Sequence, residues 1–116
     1  MAKKHSVIVD CPIDTTVNIL KGKCKAGILL AIEAGNNRFG LIKRKIKISD
    51  KLLAVQLNEL EEDQMLIKER TDSNPLMVQY TLSDDGIKLC GIIKNIEEWG
   101  IRYKLYKELQ TLVQAG

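Results

Sequence analysis

Between Ile48 and Leu82 the hydrophobic pattern changes its period once. Leu53, Leu57 and Leu60 repeat at helical spacing, with Leu52 and Gln56 beside them. Ser49 precedes them as an N-cap, since its hydroxyl can accept a free backbone N–H of the first turn. After Asp63 the pattern turns to alternation. Ile67, Glu69 and Thr71 alternate with Lys68 and Arg70, and Val78, Tyr80 and Leu82 alternate with Gln79 and Thr81. Both runs read as strands, and Asp72, Ser73, Asn74 and Pro75 read as the turn between them.

The rest of the chain is helical in pattern. Residues 1–10 form an arm, polar and then apolar. Pro12 suits a first helical turn, and Ile13, Val17 and Leu20 give that helix a stripe that Gly22 can end. A second helix is expected over 23–33, through Ile28, Leu29 and Ile32, stopped by Ala34, Gly35, Asn36 and Asn37. A short basic helix is expected over 40–46. Ser83, followed by Asp84 and Asp85, opens a last helix over 83–113. Leu89, Ile92, Ile93, Ile96, Trp99, Tyr103 and Tyr106 make it apolar along one broad stripe, and Leu109, Leu112 and Val113 extend that stripe. The expected fold is mainly α with a small β-hairpin wing, an α+β arrangement. It is a winged helix-turn-helix with extra N- and C-terminal dimerisation helices. The assignment is a single domain over 1–116, with an arm at 1–10, a recognition helix at 49–63 and a wing at 66–82.

Composition sharpens this. A chain of 116 residues holds one modest core. Only five residues are aromatic, so that core rests on Leu, Ile and Val. No apolar run approaches the ~20 residues of a membrane span, Asp10 and Pro12 interrupt any signal-peptide core, and a cytoplasmic protein is expected. The net charge of +3 is unevenly spread. Residues 38–51 carry Arg38, Lys43, Arg44, Lys45, Lys47 and Lys51 against Asp50 alone. Residues 52–72 carry six acids against Lys68 and Arg70. The basic block lies just before and at the start of the Ser49 helix, where helix-turn-helix proteins meet phosphates. A merely solvated surface is the alternative.

Several segments, in order, resemble the HxlR family of bacterial winged-helix regulators, relatives of the MarR group. CPIDTTVNILKGKCK resembles its Cys-Pro start and Gly-Lys-Trp-Lys segment. RFGLIKRKI resembles its Arg-Phe-x-x-Leu element, and KISDKLLAVQLNELEEDQML its recognition helix. VQYTLSDDG resembles its Val-Glu-Tyr-x-Leu-Thr-x-x-Gly run, and EEWG its late Trp-Gly. The resemblance spans about Cys11 to Tyr103. It implies a dimeric transcription regulator that uses the Ser49 helix and the 72–77 wing. The chain departs from the pattern in having Cys24 for the usual Trp, Ala54, Val55 and Asn58 along the recognition helix, Asp50 near phosphates, and Met77 before Val78. These departures point to weaker or differently specific DNA binding.

The candidate DNA contacts are Arg38, Lys43, Arg44, Lys45, Ser49, Lys51, Val55, Asn58, Arg70 and Asn74. Val55 can meet a thymine methyl, and Asn58 can pair with adenine or reach a phosphate. The expected partners are double-stranded DNA with a palindromic operator and a second copy of the chain. The final helix is too long and apolar for one small domain to cover, so Val17, Ile92, Ile96, Trp99, Tyr103 and Tyr106 are the candidate dimer contacts. Cys11, at a helix N-terminus and near Lys3, Lys4 and His5, is the redox-sensing candidate. The resemblance implies the same, since some members sense oxidants or electrophiles with a cysteine at this place. An ordinary packing cysteine is the alternative. Cys24 and Cys90 read as small core residues on apolar helix faces.

No catalytic residue, metal site or cofactor is expected. The three cysteines and His5 lack close paired spacing, no nucleophile–base pair surrounds the single histidine, and no Gly-rich phosphate loop exists. The rival readings are a winged-helix protein-interaction module with weak or no DNA binding, and a small enzyme or ligand carrier.

Overall fold

A computed structural model describes residues 11–22, 24–72 and 75–115 of the chain. The 1–10 arm, with Lys3, Lys4 and His5, the expected helix start at Lys23, and Asn74 of the wing lie outside the described residues.

Pro12 opens the first helix, α1 (Pro12–Leu20), at the position where its missing N–H costs nothing. Thr15 and Thr16 donate back to the carbonyls of Cys11 and Pro12. The second helix, α2 (Lys25–Glu33), starts later than its pattern suggested. Cys24 is its N-cap, in the left-handed region at φ 69°, and is half-buried. That corrects the placement of Cys24 on an apolar helix face. The next helix, α3 (Phe39–Ile46), buries Ile42, and α4 (Asp50–Glu62) buries Leu53, Gln56, Leu57 and Leu60. Strands β1 (Leu66–Arg70) and β2 (Val78–Leu82) pair antiparallel, with Leu66 opposite Leu82 and Lys68 opposite Tyr80. The last helix, α5 (Asp84–Ala115), is the longest.

The core sits where α2, α4, the hairpin and the first turns of α5 meet. Ile28, Leu29, Leu53, Leu60 and Cys90 are fully enclosed there. Lys25 joins them at 1 % exposure, its ammonium 2.6 Å from the Glu59 carboxylate, so a buried ion pair ties α2 to α4. A buried ammonium is tolerated only with such a partner. In β1 the side chain that enters the core is Leu66, while Ile67 stays 47 % exposed. A second tie, Lys94 to Glu33 at 2.7 Å, joins α5 to α2 near the surface.

Beyond Ile93, α5 leaves the core. A 32-residue helix is about 48 Å long, and only its first third is covered. The Cα radius of gyration is accordingly 17.2 Å, against about 13 Å for a compact chain of this length. No helix of the described residues is long and apolar enough to cross a membrane.

Candidate nucleic-acid interface

Helices α3 and α4 are joined by a three-residue turn. Lys47 takes a left-handed conformation (φ 62°), and its N–H closes α3 on the Lys43 carbonyl. Ser49 then turns the chain into α4. Its hydroxyl accepts from the Leu52 N–H at 3.1 Å, and its carbonyl accepts from the Leu53 N–H. The cap fixes where the helix begins, and the apolar stripe fixes its rotation. With Leu53, Leu57 and Leu60 inward, Ser49, Lys51, Ala54, Val55 and Asn58 are left on solvent.

Charge is polarised along this unit. Arg44, Lys45, Lys47 and Lys51 are exposed along the last turn of α3 and the first turn of α4, and Arg38 is exposed at the far end of α3. Glu61 and Glu62 are exposed at its C-terminal end. The N-terminal end of a recognition helix is the part that meets base edges in this motif, and the positive end of the helix dipole adds to the basic side chains there. Lys43 differs from its neighbours. Its ammonium is 2.5 Å from the Asp50 carboxylate, in an ion pair that spans the turn.

The hairpin supplies the second edge. Thr71 closes its tip: its N–H donates to the Met77 carbonyl, and its hydroxyl accepts from the Met77 N–H. Arg70 is exposed on this hairpin, and so is Leu76 at the tip.

The remaining candidates fall elsewhere. Val17 on α1, and Ile92, Ile96, Trp99, Tyr103 and Tyr106 on α5, are all 48–61 % exposed. The Trp99 and Tyr103 rings stack at 5.1 Å between centroids and 8° between planes. Cys11 is the half-buried N-cap of α1. Cys90 is fully buried, its thiol 3.6 Å from the Leu29 carbonyl oxygen, and burial pushes its pKa up. Among the described residues no group of three His, Cys, Asp or Glu side chains could hold a metal ion.

Two features escaped the sequence pattern. Lys25 reads as a surface lysine, because no periodicity reveals a partner 34 positions away. Asp50 was legible as a first-turn acid, but its pairing with Lys43 depends on the geometry of the turn.

Residues 19–108 match the family model for HxlR-like helix-turn-helix proteins. The uncharacterised HTH-type transcriptional regulator YdeP of Bacillus subtilis (strain 168) is 35% identical over 95 residues, covering 81% of this chain and 74% of that one. The redox regulator HypR in its reduced form superposes with a TM-score of 0.75 at 29% identity, over 81% of this chain and 94% of that one. Its oxidised form gives a TM-score of 0.73 at 31% identity, over 79% and 96%.

Proposed function

The chain belongs to the HxlR-like helix-turn-helix family, and from that premise we propose that it regulates transcription as a cytoplasmic homodimer on a palindromic promoter site. In this reading α4 enters the major groove with its exposed face, from Lys51 through Val55 to Asn58. Arg38, Lys43, Arg44, Lys45 and Lys51 meet phosphates, and Val55 and Asn58 meet base edges. Arg70 and Asn74 follow the adjacent backbone from the wing. The observation that carries the reading is the charge polarity of the capped helix: bases around its exposed start, acids at its exposed end.

Replacing Lys43, Arg44 and Lys45 together by Ala is the direct test. Each lost phosphate contact should lower the slope of log K against log salt by about 0.9. A slope and affinity equal to those of the parent would remove this surface from DNA binding. The exposed Ala54, Val55 and Leu76 favour a second reading, a protein-interaction module on the same fold. A gel shift with DNA from upstream of its own operon separates the two.

Redox response is the finer part of the proposal, and Cys11 is its candidate. HypR, a redox regulator, is similar in fold and sequence. Cys11 opens α1, the helix that also carries exposed Val17. A covalent change there therefore falls beside the proposed dimer contact. In the folded protein Cys11 should alkylate far faster than Cys90, which is buried. Half-buried Cys24 is the internal comparison. Diamide treatment should change DNA binding of the parent but not of Cys11→Ser. Equal labelling of Cys11 and Cys90, or oxidised protein that binds DNA as reduced protein does, would leave Cys11 a packing residue.

A further inference from the structure

We propose that Asp50 is a built-in brake on DNA affinity, acting by holding the Lys43 ammonium away from phosphate. The proposal rests on the DNA-binding reading of the α3–α4 surface and names what tunes it. Of the basic residues around the start of α4, Lys43 is paired with a carboxylate of the recognition helix itself. Both side chains are well exposed, at 44 % and 69 %, so the pair is not a requirement of the core. Asp50 is not the cap of α4, because Ser49 fills that role. Its carboxylate sits in the first turn of the helix that would approach DNA, where a negative charge opposes a phosphate and occupies the cation meant for it.

Two separate penalties follow. Binding must first exchange the Lys43–Asp50 pair for a Lys43–phosphate pair. An exposed pair of this kind is worth a factor of about 1.5 to 5 in an equilibrium constant. The freed carboxylate then faces the phosphate at short range, inside the ~8 Å over which physiological salt leaves charges unscreened. Where Lys43 stays with Asp50 in the complex, one phosphate contact per protomer is lost. Either way, neutralising Asp50 should tighten binding, and part of the gain should pass through Lys43.

The experiment uses the full chain, a fluorescent duplex of about 30 mixed-sequence base pairs, and a salt titration. Non-specific DNA suffices because the phosphate contribution needs no operator. Asp50→Asn should bind about threefold to tenfold more tightly at 0.1 M salt, and where Lys43 stays with Asp50 in the parent complex the slope should also steepen by about 0.9 per protomer. In a Lys43→Ala background the same change should gain less than in the parent, since only relief of the carboxylate–phosphate repulsion is left once the interaction between the two positions is gone. Circular dichroism verifies the fold, and Asp50→Ser, which also favours a first turn, serves if Asp50→Asn does not fold. Unchanged affinity, or an equal gain with and without Lys43, overturns the brake. The surface itself is judged separately: if the Lys43, Arg44 and Lys45 triple variant also binds as the parent does, the DNA-binding reading fails. If the triple variant weakens while Asp50→Asn stays silent, only the brake fails.

Discussion

Gly86→Ala is expected to cost the fold about 3 kcal/mol or more, the upper end of overpacking penalties. A methyl at Gly86 would overlap the Met65 carbonyl oxygen and lie 3.2 Å from its carbon. Backbone cannot swing aside as a side chain can. The Met65 carbonyl is also fixed, since it accepts from the Ser83 N–H at 3.1 Å. Ser83 completes the joint: its hydroxyl donates to the Gln64 carbonyl at 2.6 Å and accepts from the Gly86 N–H at 3.0 Å. The start of α5 thus rides directly on the chain entering β1, and only a residue without Cβ lets it do so. Domains of this size are stable by about 5–15 kcal/mol, so the loss is a large share of the total. Thermal melting should fall by about 10 °C or more. Gly91→Ala is the control, in the same helix but with open space around the added methyl; it should melt no lower than the parent. A Gly86→Ala protein melting within 2 °C of the parent would disprove the tight joint.

Gly86 shows what the sequence could and could not reveal. The resemblance brought it out as the end of the Leu-Ser-x-x-Gly run, yet the reason lies in a carbonyl 21 positions earlier. Helix α4 was legible because its signals are local. Ser49 caps, Leu53, Leu57 and Leu60 face one way, and the structure buries all three leucines behind a cap bond to Leu52. The hairpin was legible as two strands with a turn, but the phase of β1 was not. Leu66 and Ile67 are adjacent and both apolar, so alternation alone cannot choose between them. Contact with the core chooses Leu66. Cys24 was misplaced because a left-handed residue is usually signalled by Gly or Asn, and nothing in Lys-Cys-Lys announces one. The Lys25–Glu59 and Lys43–Asp50 pairs were hidden for a common reason. Charged side chains read as solvated until the fold brings an opposite charge within reach.

The second large effect concerns assembly, and the expected result is a dimer of about twice 13.1 kDa in sedimentation velocity that Ile96→Asp dissociates. After Ile93, the apolar side chains of α5 no longer have a core to face. Ile96 is 55 % exposed and Trp99 61 %, and Tyr103 and Tyr106 further along the same face are similarly bare. Contiguous apolar surface on this scale marks an interaction site, and a symmetric pairing of identical helices covers it without any further partner. Val17 on α1 adds to the same need for cover. A stable interface takes about 800 Å² from each partner, which a stripe running some 30 Å along α5 can supply. An aspartate at position 96 would place an unpaired charge in the middle of that stripe. Burying it costs several kcal/mol, which is a rise of about two to three orders of magnitude in the dimer dissociation constant. Trp99→Ala should act in the same direction through lost area and lost stacking, at a smaller magnitude. DNA binding supplies the independent readout. Two recognition helices must meet half-sites about 34 Å apart, so a dissociated variant should keep non-specific binding per protomer and lose the tight mode on a palindrome. A parent protein that sediments at 13.1 kDa at micromolar concentration would rule out α5 as a dimer helix.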